Sequence, residues 1–236
     1  MGFDDTAYQK GQIGVVNEIE RQVANNQVSF STVSESEDYG SDPRICLTGV
    51  HFPSKSLIDK IQSELMDPLM MIERGHYYYP SDSLHMTVKN IRTISDPPNF
   101  TEGDVKLAAE VFDNIVPKHK SFRTFFYRLL LFKSSLALIG TTDEELDRIH
   151  LDLDKGLREA GIPDDKIYTN ENHFFCNMTL VRFSSPISGK YRKKAHELSD
   201  NIRWDPYVID SVTLLVANAV MGKRNIIGQF SLEKSI

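Results

Sequence analysis

Cysteine is scarce in this sequence, with only two among 236 residues. Two cysteines exclude the disulfide framework of a small secreted protein and a zinc site built from cysteines. Both Cys46 and Cys176 stand in apolar runs, where a buried thiol behaves as a small hydrophobic side chain. Long hydrophobic runs are missing as well, since no stretch approaches the ~20 apolar residues that a membrane-spanning helix needs. We therefore expect no contact with a membrane.

Positive charge is also in short supply, with 27 Lys plus Arg against 33 Asp plus Glu and a net charge of −6. A protein that coats nucleic acid neutralises many phosphates, so this balance argues against that class and leaves room for one small basic pocket. The N-terminus lacks the basic-then-apolar layout of a secretory signal, so we expect a cytoplasmic or nuclear protein. There is no Walker loop, Rossmann glycine fingerprint or metal-spaced His/Glu cluster. We expect no metal and no cofactor.

The first 43 residues differ in composition from the rest. Four apolar residues at helical spacing predict one amphipathic helix there. They are Ile13, Val16, Ile19 and Val23. A Ser- and acid-rich tract at 31–41 leads to Pro43, which is a linker composition. We therefore expect residues 1–43 to be an extension that offers a contact for a partner, and residues 44–236 to be one two-lobed domain, monomeric as a whole.

Strand-like and helix-like patterns alternate through the second part of the chain. Strands are predicted near 45–50, 84–91, 125–132, 136–139, 174–183, 208–220 and 225–232, and helices near 56–71, 101–116, 142–157 and 190–202. Thr142 and Glu145 have the spacing of a capping box for the third of these helices. Similar content occurs twice over, which favours an α+β protein of two comparable lobes.

The segment Ser83–Val88 carries the first chemical signal. On a strand, His85 and Thr87 project to one side while the apolar residues between them face the core. An imidazole exchanges protons near neutral pH, and a threonine hydroxyl can bond a phosphoryl oxygen. We call His85 and Thr87 the first motif; alone it is a weak signal, because a lone histidine is more often a satisfied, partly buried side chain.

A second segment, Phe175–Arg182, repeats the pattern. Asn177 and Thr179 project together as His85 and Thr87 do, and a methionine stands between the two residues of each pair. We call Asn177 and Thr179 the second motif. Two such strands placed face to face predict a pseudo-twofold cleft.

Paired His-x-Thr/Ser motifs with apolar flanks are typical of the two-histidine, LigT-like phosphoesterase superfamily, and the sequence resembles it over about residues 44–234. The runs at 47–50, 210–215 and 228–232 are similar to it as well. The resemblance implies a bilobal α+β fold with two antiparallel sheets, helices outside and a central cleft. It also implies a metal-independent phosphodiesterase that acts on a 2′,3′-cyclic phosphate, a 2′,5′-linked nucleotide or an RNA end.

The superfamily pattern has histidine where this chain has Asn177. In the family one histidine activates the attacking group, the other protonates the leaving oxygen, and the two threonines hold the phosphate. Asparagine can hydrogen-bond a phosphate but cannot transfer a proton at neutral pH, and loss of one general acid or base costs ~10²–10⁴-fold in rate. Asn177 is either an engineered change that traps substrate or a natural divergence. His173, four residues upstream, lies roughly 13 Å away along an ideal strand.

Four further residues are candidates for substrate binding. Phe52 and Tyr79 offer rings on which a nucleobase can stack. Lys89 continues the alternation of the first motif, and Arg182 matches the family pattern although an ideal strand turns it away from Thr179. The predicted function is a phosphodiesterase weakened by Asn177; the alternative is an inactive nucleotide- or RNA-binding module.

Overall fold

The computed structural model describes residues 5–25, 38–166 and 173–234. The helices are α1 (Ala7–Ala24), α2 (Lys55–Ile61), α3 (Asp67–Met70), α4 (Glu102–Ile115), α5 (Glu145–Glu159) and α6 (Gly189–Asp200). The strands are β1 (Ile45–His51), β2 (Tyr77–Tyr78), β3 (Met86–Ser95), β4 (Phe122–Leu131), β5 (Ser135–Thr142), β6 (Cys176–Arg182), β7 (Tyr207–Ile209), β8 (Ser211–Asn218) and β9 (Arg224–Ser231). One π-helical turn, Gln62–Met66, joins α2 to α3.

The strands form two sheets. The first sheet has the order β3-β1-β8-β9, and the second has the order β2-β6-β5-β4-β7. Every neighbouring pair is antiparallel. The predicted α+β fold with two antiparallel sheets is therefore confirmed. The edge strand β3 of the first sheet lies against β6 of the second, so the two motif-bearing strands meet where the sheets meet.

One face of the first sheet packs on α4. Leu47 is fully buried, and at Gly49 an added Cβ would lie 2.5 Å from the ring of Phe112 in α4. Only glycine lets strand and helix approach this closely. Because side chains alternate along a strand, Leu47 and Gly49 belong to the α4 side, and Thr48 and Val50 belong to the opposite face.

The second sheet likewise has one face in the main hydrophobic core. Leu138 and Met178 are paired across β5 and β6, and both are fully buried in the same cluster as Leu153 of α5. The neighbouring pair, Ile139 and Asn177, therefore points the other way. We call the face of each sheet turned away from this core the cleft face.

The predicted amphipathic helix near the N-terminus is confirmed as α1. Thr6 caps it, with a reciprocal capping box to Gln9. Val16 and Ile19 are buried at 0% and 5% exposure and pack on β4 and β5 of the second sheet. The helix is thus docked on the body of the protein. The division of the chain at residue 43 stays a prediction.

The capping box predicted from Thr142 and Glu145 is wrong. Thr142 is the last residue of β5, and α5 begins at Glu145 without a side-chain cap. The Thr142 amide instead donates to Gln12 Oε1 at 2.9 Å, and its hydroxyl accepts from Gln12 Nε2 at 2.9 Å. A tertiary contact from α1 has taken the groups that the local pattern assigned to a cap.

Across the three described ranges, no helix combines the length and the apolar character that crossing a bilayer requires.

Candidate active site

The first motif lies at the start of β3, on the cleft face of the first sheet. His85 directly precedes the strand, and Thr87 pairs with Val50 of β1. Val50 in turn pairs with Thr213 of β8. Directly paired residues share a face, so Thr87 points away from α4 with Val50. His85 and Thr87 are both half-buried, which leaves them accessible at the edge of the sheet.

Lys89 does not join this motif, which corrects the sequence-based expectation. Val50 pairs with Thr87 and the preceding Gly49 pairs with Lys89, so Val88 is the extra residue of a β-bulge. A bulge reverses the alternation and places Lys89 on the α4 side with Gly49. Its side chain is fully buried there, with Nζ 3.0 Å from Asp154 of α5. Lys89 is a core ion-pair residue.

The second motif lies on the cleft face of the second sheet. Asn177 pairs with Ile139, and Thr179 pairs with Ala137. Both motif residues are half-buried, while Met178 between them is fully buried. The structure therefore puts the two motifs on strands that lie against each other, each pair projecting from the cleft face of its own sheet.

A second β-bulge brings Arg182 onto the same face as Thr179. Ala137 pairs with Thr179 and the preceding Leu136 pairs with Val181, so one residue of β6 is extra. Arg182 then pairs with Ser135 and projects with Ala137 and Thr179. An ideal strand would have turned Arg182 away, and the bulge is the physical reason that it points into the cleft.

His85 is held as a neutral imidazole with a defined tautomer. Its pKa is lowered to about 4, chiefly by burial; the hydrogen bond to Ser83 opposes this shift, and the positive charges of Arg182 and Arg224 add to it. Nδ1 lies 2.8 Å from the carbonyl oxygen of Ser83. A carbonyl only accepts, so Nδ1 carries the proton and Nε2 is left with its lone pair. This is the form of a general base.

Arg224 is a site residue that the sequence did not point to. It opens β9 and pairs with Ala217, and its guanidinium carbon lies 5.3 Å from the ring centroid of Phe52. It donates to the carbonyl oxygen of Met221 at 2.8 Å and contacts the exposed carboxylate of Asp82 at 3.3 Å. The face on which Arg224 lies depends on the register of the last hairpin, β8–β9, and the sequence alone does not specify that register.

Phe52 directly follows β1 and is half-buried. It packs on the cleft-face cluster of the first sheet, which includes Val50 and Leu215. One face of its ring is taken by Arg224. A role for Phe52 in substrate binding stays a prediction.

Tyr79 is buried behind the site and does not offer its ring to a nucleobase, which corrects the sequence-based expectation. It is only 2% exposed, and its ring centroid lies 6.1 Å from that of His85. Its hydroxyl donates to the Ala219 carbonyl at 3.3 Å and accepts from Arg182 Nε at 3.1 Å. Burial raises the pKa of the Tyr79 hydroxyl, so it remains protonated as a fixed support for Arg182.

His173 does not stand in for the missing second histidine. Its ring packs edge-on against Tyr8 of α1, with centroids 5.5 Å apart. Its Nδ1 lies 3.7 Å from a carboxylate oxygen of Asp147 in α5. These contacts hold it with elements other than those that carry Thr87 and Thr179. Within the described parts of the chain, no group of three or more His, Cys, Asp or Glu side chains is arranged to hold a metal ion.

No protein-family model matches the sequence, and no curated protein matches it either. Solved structures do match it. LigT from E. coli, in its apo form, is 12% identical with a TM-score of 0.54, and the match covers 82% of this chain and 99% of LigT. The chain has a LigT-like fold.

Two further structures share this LigT-like fold. A protein of Thermus thermophilus is 15% identical with a TM-score of 0.52, over 82% of this chain and 100% of that one. A conserved protein of unknown function from Agrobacterium tumefaciens is 13% identical with a TM-score of 0.61, over 89% of this chain and 97% of that one. Each is matched almost end to end, while part of the present chain lies outside each of these matches.

Proposed function

We propose that the chain is a phosphodiesterase whose site takes the phosphate of a 2′,3′-cyclic or 2′,5′-linked nucleotide or an RNA end. The observation that carries this is the position of His85, a neutral histidine within the electrostatic field of Arg182 and Arg224. A histidine flanked by two cations suits an anionic substrate. In addition, LigT from E. coli, with a TM-score of 0.53 and 12% identity, has been crystallised with 3′-AMP.

The hydroxyl groups and the cations of the cleft face have different roles in binding the phosphoryl group. Thr87 from the first sheet and Thr179 from the second approach it from opposite lobes and donate hydrogen bonds to its oxygens. Arg182 and Arg224 neutralise the charge that accumulates as the pentacoordinate phosphorane forms. Donors held in place before the reaction stabilise such charge without reorganisation.

His85 acts as the general base in this proposal. Its Nδ1 proton is committed to Ser83, so Nε2 accepts the proton of the attacking water or hydroxyl. The bound phosphate raises the His85 pKa from its low resting value, because an opposite charge nearby favours the imidazolium. The proton taken from the nucleophile is therefore stabilised once substrate is in place.

Asn177 occupies the position of the general acid. Its amide can hydrogen-bond a phosphate oxygen, but it has no proton to give to the departing alkoxide. The reaction is then slow for substrates whose leaving group is a sugar hydroxyl, such as a 2′,3′-cyclic phosphate. It is far less affected for a 4-nitrophenyl diester, whose phenolate departs without protonation.

This difference provides the test. Asn177→His is expected to raise the rate on adenosine 2′,3′-cyclic phosphate by ~10²–10⁴-fold and to change the rate on a nucleoside 4-nitrophenyl phosphodiester little. His85→Gln in the Asn177→His background is expected to abolish turnover of both substrates. If His85→Gln spares the nitrophenyl ester, His85 is the acid and the assigned roles are reversed.

The alternative is a nucleotide-binding module without catalysis, and the presence of asparagine at 177 is what favours it. Both readings predict that the chain binds 3′-AMP. Only the phosphodiesterase gains turnover in Asn177→His. Retained binding without turnover of either substrate would establish the module, and absence of both would contradict the two proposals together.

A further inference from the structure

Helix α1 lies on the cleft face of the second sheet, directly beside the second motif. Ile139 and Ala137 stand opposite Asn177 and Thr179 in the ladder between β5 and β6. Both are buried in one cluster with Val16 and Ile19 of α1. Directly opposed residues have Cβ atoms about 5 Å apart. The middle of α1 therefore packs one side chain away from the proposed phosphate site.

Polar contacts fix the position of α1 on this face. Gln12 is fully buried and bonds to three groups outside α1: the Thr142 amide, the Thr142 hydroxyl and the Phe174 carbonyl. A buried amide side chain that loses such partners carries a desolvation cost of about 1–3 kcal/mol. Sliding or turning α1 by one residue would break all three bonds, so the helix has one register on the sheet.

The other end of α1 is tied to the same sheet. Arg128 pairs with Ile139 and so shares its cleft face. Its guanidinium donates to Asn17 and Glu20 of α1, both at 2.9 Å. Together with Gln12, this contact covers β5 and β4 along the length of the helix. Helix α1 thereby covers β4 and β5 on the cleft face beside the second motif.

The first-sheet side of the cleft has a different character. Phe52 and Arg224 lie there, both half-buried, next to His85. An aromatic ring and a guanidinium are groups on which a nucleobase or ribose phosphate can rest. The two sides of the phosphate site thus differ: one is filled by the protein's own helix, and the other presents a surface suited to a nucleoside.

We propose that α1 makes the site selective for nucleotide ends, because it blocks passage of a nucleic-acid chain over β4 and β5 and directs the single bound nucleoside toward Phe52 and Arg224. This inference rests on the proposed function, since it assumes that a nucleotide phosphate binds at the two motifs. It adds which side of that phosphate can carry a nucleoside and which cannot.

The test compares two probes on the full chain: 3′-AMP, and an eight-residue oligoadenylate with hydroxyl groups at both ends. The intact chain is expected to bind 3′-AMP at least about tenfold more tightly than the oligomer, a difference of ~1.4 kcal/mol. Val16→Glu places a charge in the contact between α1 and the sheet and should bring the two affinities close together, with the affinity for 3′-AMP retained. Ala7→Glu adds the same charge on an exposed position of α1 and should leave the preference intact.

Amide exchange along α1 reports whether the helix has left the sheet. Gln12→Ala removes the polar contacts without adding charge, and it must shift the preference in the same direction if Val16→Glu prevents folding. Equal affinities in the intact chain, or an unchanged preference when the α1 amides exchange rapidly, would overturn the inference. If the proposed function is wrong, neither probe binds to the intact chain or to any of the variants. That result differs from the two above, and it overturns the proposed function together with the role of α1.

Discussion

The guanidinium of Arg182 donates from Nε to the hydroxyl of Tyr79 at 3.1 Å. Tyr79 is buried and its own proton goes to the carbonyl oxygen of Ala219, so the acceptor cannot move away. A core tyrosine thereby fixes the direction of a cleft arginine next to His85. The β-bulge puts Arg182 on the cleft face of the second sheet, and Tyr79 determines where on that face the guanidinium group lies.

Tyr79→Phe should weaken phosphate binding without touching the substrate. Removing the hydroxyl takes this acceptor away from Arg182 and leaves the Ala219 carbonyl without this donor, at a cost of about 1–2 kcal/mol in the free energy of unfolding. We expect the affinity for 3′-AMP to fall by about tenfold, as for loss of one charge-assisted contact. Tyr78→Phe is the matched control, because its hydroxyl donates to the Glu73 carbonyl at 2.7 Å. Calorimetric titration and urea unfolding measure both effects; an equal loss of affinity in the two variants would contradict the role of Tyr79.

The low pKa of His85 makes stability depend on pH in a defined direction. The pKa is about 4 in the folded chain and roughly 6.5 when unfolded. Between these values the unfolded chain binds a proton that the folded chain does not, so the free energy of unfolding falls as the pH drops from about 6.5 toward 4. His150, whose pKa burial lowers to about 3, contributes with the same sign.

Each histidine changes the free energy of unfolding by at most about 1.4 kcal/mol per pH unit. His85→Asn should remove the part of this pH dependence that comes from His85. Imidazole NMR titration checks the pKa directly, and added inorganic phosphate should move the midpoint upward. A midpoint near 6.5 in the phosphate-free chain would contradict a neutral His85 with a lowered pKa.

The sequence predicted most of the long elements, without β2, without the break between β7 and β8 and without the π-helical turn between α2 and α3. It also did not predict which way three basic side chains point. Alternation along β3 and β6 was enough to place Thr87 and Thr179 on the cleft faces. One extra residue in each strand then reversed the face of Lys89 and of Arg182. Whether a strand carries a bulge depends on the partner strand it pairs with, and that is a tertiary property. Arg224 was missed for a similar reason, since its face follows from the register of β9 on β8.

Lys89→Met should reduce stability and leave nucleotide binding unchanged. The ammonium group is fully buried beside Asp154 and Asp164. Its removal takes this ion pair away from both carboxylates, of which Asp154 keeps Arg158 at 2.8 Å, at a cost of about 3–5 kcal/mol. Lys55→Met is the control: its ion pair with Asp59 is exposed, with 86% of the Lys55 side chain accessible, and its loss should cost under about 1 kcal/mol. Urea unfolding with 3′-AMP titration separates the two quantities. If Lys89→Met instead weakened 3′-AMP binding and left stability unchanged, the placement of Lys89 in the core would be wrong.

Substitutions at two glycines of α1, Gly11 and Gly14, are expected to change the stability of the docked helix in different ways. At Gly14 an added Cβ meets nothing within 4 Å, whereas at Gly11 it lies 3.0 Å from Nε2 of His173. Gly14→Ala should stabilise the helix by about 0.5–1 kcal/mol, because alanine loses less backbone entropy on folding. Gly11→Ala has the same intrinsic gain, but His173 must move to admit the methyl group, so its net gain is smaller or reversed. Slower amide exchange in α1 for Gly14→Ala alone is the expected result; equal protection in both variants would show that His173 does not press on the helix.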